Sequence, residues 1–162
     1  MLVAIRAVDS NDFVGLNFYS HYQVKVQLNA NDPFVFVHNT GALMTDMDYP
    51  LYPEGLYRAL KLIATIGKPV IVTENGLADD KDDRRALFIR RYLYAVSKAI
   101  EEGVDCRGYF YWSLLDNFEW SAGYAMRFGL YEVDFATQKR TLRSGSLPFK
   151  NLVQRFSSTS ST

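Results

Sequence analysis

One carboxylate at the end of an apolar run is the residue of this chain best placed for chemistry. Glu74 follows Val70 to Thr73, four β-branched residues without polar alternation, which is typical of a parallel strand buried on both faces. Asn75 and Gly76 come next, a pair that can turn the chain. Because α/β proteins place reactive groups at the carboxyl ends of such strands, Glu74 is a candidate catalytic residue. The alternative is a solvated turn carboxylate.

Polar and aromatic residues also follow two other runs of strand-like sequence. The set comprises Asn17 and Tyr19 after the first run, Trp112 within the apolar run Gly108 to Leu115, and Glu119 and Trp120 in the loop after it. The carboxyl ends of parallel strands meet on one face, so these groups and Glu74 would line one cleft. Tryptophan rings stack on the C–H faces of sugars, and carboxylates and amides bind neighbouring hydroxyls. The combination predicts a carbohydrate site.

Helical patterns separate these runs and must position them. Pro53 opens a helix whose apolar stripe runs from Leu56 to Ile63, and Gly67 ends it. A longer helix is predicted from about Asp83 to Glu102, and Ser146 is expected to cap a last one. In the longer helix we expect an inward stripe of Ile89, Leu93, Val96 and Ile100, and a solvated face of Arg84, Arg85, Arg90, Arg91 and Lys98.

The order strand, helix, strand, helix, strand, helix predicts an α/β fold of consecutive parallel units joined by right-handed crossovers. Three strands leave two open sheet edges, which indicates that the sheet is incomplete. Short strands are expected at Gln23–Leu28 and Phe34–Val37 within a long excursion, and a strand or hairpin at Phe128–Phe135. Residues 157–162 contain only Ser and Thr and are expected to be disordered.

Composition favours a soluble globular domain. The 162 residues are 48% hydrophobic and 22% charged, enough for one domain with a core. The 18 basic and 18 acidic residues balance, which favours neither nucleic acid nor an anionic membrane as partner.

Cys106 is the only cysteine and there are two histidines, so we expect no disulfide, metal site or cofactor. The opening Met1 to Arg6 does not fit a signal peptide and no run approaches a membrane span. We therefore expect a cytoplasmic protein.

Three segments resemble motifs of glycoside hydrolase family 1. Val72 to Gly76 resembles its nucleophile motif I/V-T-E-N-G, and Tyr111 to Trp120 resembles its sugar-binding signature after the last barrel strand. Gly15 to Ser20 is similar to the G-x-N-Y-Y-S/T segment on its strand six. The resemblance runs from Asp12 to Phe156 with the motifs in order. It implies that residues 1–156 form the C-terminal part, about strands six to eight, of an incomplete (β/α)8 TIM barrel.

The resemblance implies a retaining β-glycosidase that acts on β-glucosides or β-galactosides. Glu74 would be the nucleophile and Tyr19 would orient it. Asn17 would contact the sugar near its 2-hydroxyl, Trp112 would stack beneath the ring, Glu119 and Trp120 would bind the distal hydroxyls, and Phe128 would border C6. The structural alternatives are a core role for Trp112 and a plain loop carboxylate for Glu119. His21, just after the strand-six motif, is expected to be a polar residue at the rim.

The second carboxylate of such a site is missing from the sequence. A retaining mechanism needs two carboxylates about 5–5.5 Å apart, and the family carries its acid/base glutamate in an Asn-Glu-Pro motif that does not occur here. We therefore expect the chain alone to be inactive, with the N-terminal part of a barrel as its partner. The alternatives are a non-catalytic carbohydrate-binding or pseudoenzyme module, and self-association of copies into a barrel-like oligomer.

Overall fold

A three-stranded parallel sheet with helices between its strands forms the centre of the molecule. The computed structural model describes residues 8–28, 31, 33–37 and 41–159. Its strands are β1 (Val14–Asn17), β2 (Gln23–Val26), β3 (Phe34–Val37), β4 (Val70–Asn75), β5 (Cys106–Tyr111), β6 (Tyr131–Val133) and β7 (Arg140–Leu142). Its α-helices are α1 (Pro53–Ala64), α2 (Arg85–Glu101) and α3 (Leu147–Thr159), and 3-10 turns occur at Val8–Ser10, Trp120–Ala122 and Ser144–Ser146.

The sheet has the order β1-β4-β5, with all three strands parallel. At the carboxyl ends Asn17 lies opposite Glu74, and Asn75 lies opposite Tyr111. The predicted β/α succession is therefore confirmed. The strands do not close into a barrel within the described part of the chain. Two antiparallel hairpins, β2-β3 and β6-β7, accompany the sheet.

The core lies between one face of the sheet and the first two helices. Leu56 and Leu60 of α1, Val70 and Val72 of β4, and Phe88 and Tyr92 of α2 have no exposed surface. Alternation along β4 places Ile71 and Thr73 on the opposite face, where they are only partly buried. The helical stripe of α1 was thus predicted well, because Leu56 and Leu60 both reach the core.

Large apolar side chains on α2, α3 and β5 are exposed. Ile100 in α2, which is predicted to face inward, is 46% exposed, and Phe156 in α3 is 67% exposed. The third strand begins and ends earlier than predicted, at Cys106 and Tyr111, and Phe110 within it is 62% exposed. The reason is that no other described element covers these faces. No helix among the described residues is long and apolar enough to cross a membrane.

The ends of the predicted last helix also differ. Ser146 does not cap α3, because its hydroxyl donates to the Leu130 carbonyl at 2.8 Å. At the other end α3 continues to Thr159, so the helix enters the stretch predicted to be disordered, with Ser157 Oγ donating to the Val153 carbonyl. Residues 160–162 lie outside the described residues, as does His38.

The prediction of a solvated arginine face is wrong for Arg84 and Arg85. Arg84 pairs with Asp46 at 2.6 Å and with Asp79 at 2.8 Å. Arg85 is completely buried. Its guanidinium donates to Asp82 Oδ1 at 2.9 Å and to the hydroxyl of Tyr111 at 2.8 Å.

Arg85 also binds three main-chain oxygens in two loops. It donates to the carbonyls of Asp79 at 2.8 Å, Arg127 at 3.1 Å and Phe128 at 3.1 Å. Arg85 thereby ties the start of α2 to the loop after β4, the end of β5 and the segment before β6. A buried guanidinium is tolerated when all its donors are occupied in this way.

We predict that Arg85→Met destabilises the chain by about 3 kcal/mol or more, because the variant leaves buried acceptors without donors. Urea unfolding followed by circular dichroism measures the loss. Arg91→Met, at an exposed position of the same helix, is the matched control and should change stability by less than about 0.5 kcal/mol. Equal stability of the two variants would contradict a structural role for Arg85.

Candidate active site

Glu74 is the penultimate residue of β4 and lies at the carboxyl end of the sheet. Its main-chain carbonyl accepts from Phe18 N–H at 2.9 Å, which continues the pairing of β1 with β4. Asn17 is its partner across the strand pair. Glu74 is half-buried and belongs to the strand, so it is not a solvated turn residue.

Tyr19 donates its hydroxyl to Glu74 Oε2 at 2.7 Å. Burial, and then the hydrogen bond and charge of Glu74, raise the pKa of Tyr19 well above its usual value near 10. The phenol therefore stays protonated and remains a donor at any ordinary pH. The bond fixes the position of one carboxylate oxygen of Glu74.

Two aromatic rings hold the Tyr19 ring from different elements. Tyr49 contacts it at a centroid distance of 6.4 Å with an interplanar angle of 67°, and Phe128 contacts it at 6.3 Å and 85°. Both are edge-to-face arrangements, which are favourable for aromatic pairs. Both partners are buried, so the direction of the Tyr19 hydroxyl is set by packing as well as by Glu74.

Sequence analysis missed Tyr49, because it lies in the weakly periodic excursion before α1. Burial, and then the neighbouring Tyr92 and Glu119, raise its pKa above the usual tyrosine value. The tyrosine is therefore neutral next to the candidate carboxylates. The density of aromatic residues at Tyr49 to Tyr52 was the only signal in the sequence.

Asn17 ends β1 beside Glu74. Its Oδ1 accepts from Thr73 Oγ1 at 2.6 Å, and the side chain is exposed. The bond engages the carbonyl end of the amide, so its NH2 group can donate to a ligand.

Asn75 does not turn the chain, contrary to the sequence prediction. It is completely buried and is the last residue of β4. Its Nδ2 donates to the Phe18 carbonyl and its Oδ1 accepts from the Tyr109 hydroxyl, both at 2.6 Å. A short amide side chain therefore joins the carboxyl ends of all three parallel strands.

Gly76 is required by close packing and not by a left-handed turn. The φ angle of Gly76 is not in the positive range. A Cβ at this position would lie 1.7 Å from the carbonyl oxygen of Trp112. The Trp112 N–H donates to the Asn75 carbonyl at 3.0 Å. Because Gly76 has no side chain, the main chain of Trp112 can lie directly against the end of β4, next to Asn75.

The three predicted residues after β5 differ in their surroundings. Trp112 is half-buried, so it is neither a full core residue nor free in solvent. Glu119 is also half-buried, its Oε2 is inaccessible and without a hydrogen-bond partner among the described residues, and its charge raises the pKa of Tyr19 and Tyr49. Trp120 is 82% exposed in a 3-10 turn.

The structure therefore brings most of the predicted residues together. Asn17 lies opposite Glu74 in the paired strands, and Tyr19 donates a hydrogen bond to Glu74. Trp112 follows the end of the adjacent strand, and the charge of Glu119 raises the pKa of Tyr19. Trp120 makes little contact with this group because most of its surface is open. Among the residues that the structure describes, no group of three His, Cys, Asp or Glu side chains could hold a metal ion.

Parallel β/α units with polar groups at their strand ends place the chain among α/β proteins that build their sites at the carboxyl ends of a parallel sheet. The model of the family described as Glycosyl hydrolase family 1 matches residues 4–157. The chain belongs to this family.

Relatives of known name agree with this assignment. Beta-glucosidase A of Thermotoga maritima is 40% identical over 88% of this chain and 34% of its own length, and the beta-galactosidase of Pyrococcus woesei is 37% identical over 88% and 32%. The solved family 1 β-glucosidase of T. maritima superimposes with a TM-score of 0.81 at 40% identity, covering 88% of this chain and 34% of that one. The chain thus spans about a third of the length of the curated relatives it matches.

We predict that Gly76→Ala destabilises the chain by about 3 kcal/mol, because the added methyl group collides with main-chain atoms that cannot rotate away. Urea unfolding followed by tryptophan fluorescence measures the effect, and the emission of the folded variant should shift as Trp112 moves. Gly67→Ala is the control: its φ is 78° and no atom lies within 4 Å, so only about 1 kcal/mol should be lost. A smaller loss for Gly76→Ala than for Gly67→Ala would contradict the packing role.

Proposed function

We propose that the chain supplies the nucleophile and part of the sugar site of a retaining β-glycosidase that cleaves β-glucosides or β-galactosides. The observation that supports this most is the hydrogen bond from Tyr19 to Glu74 at the carboxyl end of the central strand. It fixes a carboxylate in a position where barrel enzymes carry out their chemistry. The names of the relatives from T. maritima and P. woesei agree with these two substrate classes.

In the proposed reaction the carboxylate of Glu74 attacks the anomeric carbon of the sugar. The bond from that carbon to the glycosidic oxygen breaks, and the leaving oxygen takes a proton from a general acid. Water then attacks the anomeric carbon of the glycosyl ester and gives its proton to the group that acted as the acid, which releases the sugar and the free carboxylate. The hydrogen bond from Tyr19 orients the Glu74 carboxylate before the attack.

The sugar ring would be held by the groups around Glu74. The NH2 group of Asn17 is placed to donate to a hydroxyl near the attacked carbon. The half-buried ring of Trp112 offers a face for stacking. The half-buried carboxylate of Glu119 would accept from a distal hydroxyl, with Trp120 at the outer edge. In support, structures of the T. maritima β-glucosidase contain glucoimidazole or castanospermine.

The general acid would come from the part of a barrel that the described strands do not form. The sequence has no Asn-Glu-Pro motif, and Glu119 is assigned to distal hydroxyls. A leaving group that needs a proton would therefore stay attached. A leaving group that departs as a stable anion would not need the acid.

We predict that 2-deoxy-2-fluoro-β-D-glucosyl fluoride labels Glu74 of the purified chain. The Glu74 oxygen forms a bond to the anomeric carbon and fluoride leaves without protonation, so the missing acid is not required. Mass spectrometry of the peptide that contains Glu74 should show one added fluoroglucosyl group. Glu74→Gln should abolish labelling, and Tyr19→Phe should slow it about 10- to 100-fold because one donor to the carboxylate is lost.

Tyr57→Phe is the matched control for Tyr19→Phe. It removes another tyrosine hydroxyl that donates to a glutamate, Glu102, outside the candidate site, and it should leave the rate of labelling unchanged. Saccharide binding seen by tryptophan fluorescence without any label on Glu74 would contradict the nucleophile and favour the non-catalytic sugar-binding alternative.

We further predict that the chain alone does not hydrolyse methyl β-D-glucoside, because its methoxide leaving group must be protonated as it departs. Mixing it with a separately purified chain that carries the first two thirds of the T. maritima β-glucosidase should restore release of glucose, measured by an enzymatic glucose assay. Glu74→Gln should remove the restored activity. Turnover by the unmixed chain that is lost in Glu74→Gln would show that the acid does not have to come from elsewhere.

A further inference from the structure

The two outer strands of the parallel sheet each have one edge without a partner. β4 lies between β1 and β5, and neither outer strand pairs with a further strand in the described part of the chain. An exposed strand edge presents main-chain donors and acceptors that pair readily with a strand of another chain. Because β1 and β5 both run parallel to β4, β1 of a second copy has the direction needed to follow β5.

On the β5 side, helix α3 covers less than its apolar face allows. Phe149 of α3 packs against Tyr109 and Tyr111 of β5, with ring centroids 6.1 and 5.8 Å apart. Val153 and Phe156, further along α3, are 48% and 67% exposed and border an open groove of about 1040 Å³ between α2, α3 and the start of β5. The helix after a parallel strand normally packs over that strand and the next one. The described sheet has no strand after β5, so α3 lacks the second strand.

On the β1 side, α1 has an apolar flank that no other described helix covers. Tyr57 and Lys61 of α1 contact Glu102 at the end of α2, so this face of α1 is turned towards α2. Leu62 and Ile66 lie four residues apart on a different face and are 73% and 40% exposed. The β1 side therefore lacks a helix before its first strand, and the β5 side lacks a strand after its last helix.

The two sides also carry opposite charges at the amino end of the sheet. Helix α3 contains Lys150 and Arg155 and no acidic residue. Its last turns lie beside the start of β5, because Phe156 and Cys106 border the same groove. Asp12 is exposed just before β1. Addition of β1 to β5 brings Asp12 of one copy towards the basic end of α3 of the other.

We propose that this chain binds a second copy of itself head to tail, with β1 of one copy added in parallel to the open edge of β5 of the other. Helix α3 then covers β5 and the added strand, and Val153 and Phe156 pack against the α1 flank that carries Leu62 and Ile66. Because the two surfaces differ, the contact forms a ring where the rotation closes and a longer chain where it does not. Association does not rest on the proposed hydrolysis, since Glu74 lies on β4, between the two edges.

Sedimentation velocity of the full chain at increasing concentration tests the association. We expect species at multiples of the chain mass of 18.5 kDa, with a share that rises with concentration. Phe156→Glu on α3 and Leu62→Glu on α1 should each weaken association at least about 10-fold, because the contact would bury an unpaired carboxylate. Arg91→Glu, at an exposed position of α2, is the control and should leave association unchanged. The urea midpoint of each variant reports that it remains folded.

A mixture of the Phe156→Glu and Leu62→Glu variants tests the head-to-tail arrangement. One undamaged contact is available in the mixture, between the β5 side of the Leu62→Glu variant and the β1 side of the Phe156→Glu variant. We therefore expect dimers, and nothing larger, at concentrations where neither variant associates alone.

A cysteine cross-link tests the strand pairing. Val14 and Cys106 both pair with Val70, so they lie two strand spacings or about 10 Å apart, too far for a disulfide within one copy. Val14→Cys and Asp12→Cys place a thiol at two positions on the same face of the chain. Under mild oxidation at least one of these variants should give a disulfide-linked dimer, and the further change Cys106→Ser should abolish it.

Three results would overturn the proposal. The first is a chain that stays monomeric at every concentration and associates only with the first two thirds of the T. maritima β-glucosidase. The second is a mixture of the two glutamate variants that associates no better than either variant alone. The third is the absence of any cross-link that depends on Cys106.

Discussion

The buried side-chain amide of Asn75 is the contact on which the geometry of the candidate site depends. The amide donates to the main chain of Phe18, directly after β1, and accepts from Tyr109 of β5, and the main-chain carbonyl of Asn75 accepts from Trp112. An Asn in such a position must satisfy both ends of its amide, because unpaired buried polar groups are costly. The three strand ends are therefore held in one register, with Glu74 between the segment that carries Tyr19 and the segment that carries Trp112.

A second buried network supports this arrangement from the loops. Arg85 binds the Tyr111 hydroxyl at the end of β5 and the main chain of Phe128, and Phe128 in turn packs against the Tyr19 ring. Asp116 accepts from the main chain of Gly129 and pairs with Arg143 at 2.9 Å. The Tyr19 ring is thus supported through Phe128 by a buried charge outside the candidate site. These two networks are polar and buried, so they specify one arrangement more sharply than apolar packing alone does.

Much of the fold could be predicted from local patterns, and the parts that could not be have physical reasons. The β-branched run before Glu74 and the stripe of Leu56 and Leu60 mark a strand and a helix because their burial follows the period of the element. Arg85 looks like any surface arginine in the sequence, because its partners are carbonyls of distant loops. The role of Gly76 depends on how closely Trp112 approaches, and the contact of Tyr49 with Tyr19 joins segments that are far apart in sequence. Such contacts follow from tertiary structure and leave no periodic signal.

The described strands fix the backbone at Glu74 but leave both outer edges of the sheet uncovered. β4 is paired on both sides, so the backbone at Glu74 is fixed by contacts that the structure contains. β1 and β5 each have one unpaired edge within the described sheet, and Phe13 and Phe110 are 48% and 62% exposed. The carboxylate of Glu74 is thus already oriented by Tyr19, while the sheet face and edges that a complete barrel would cover remain open. A proton donor brought to those edges would meet an oriented carboxylate and would not have to organise it.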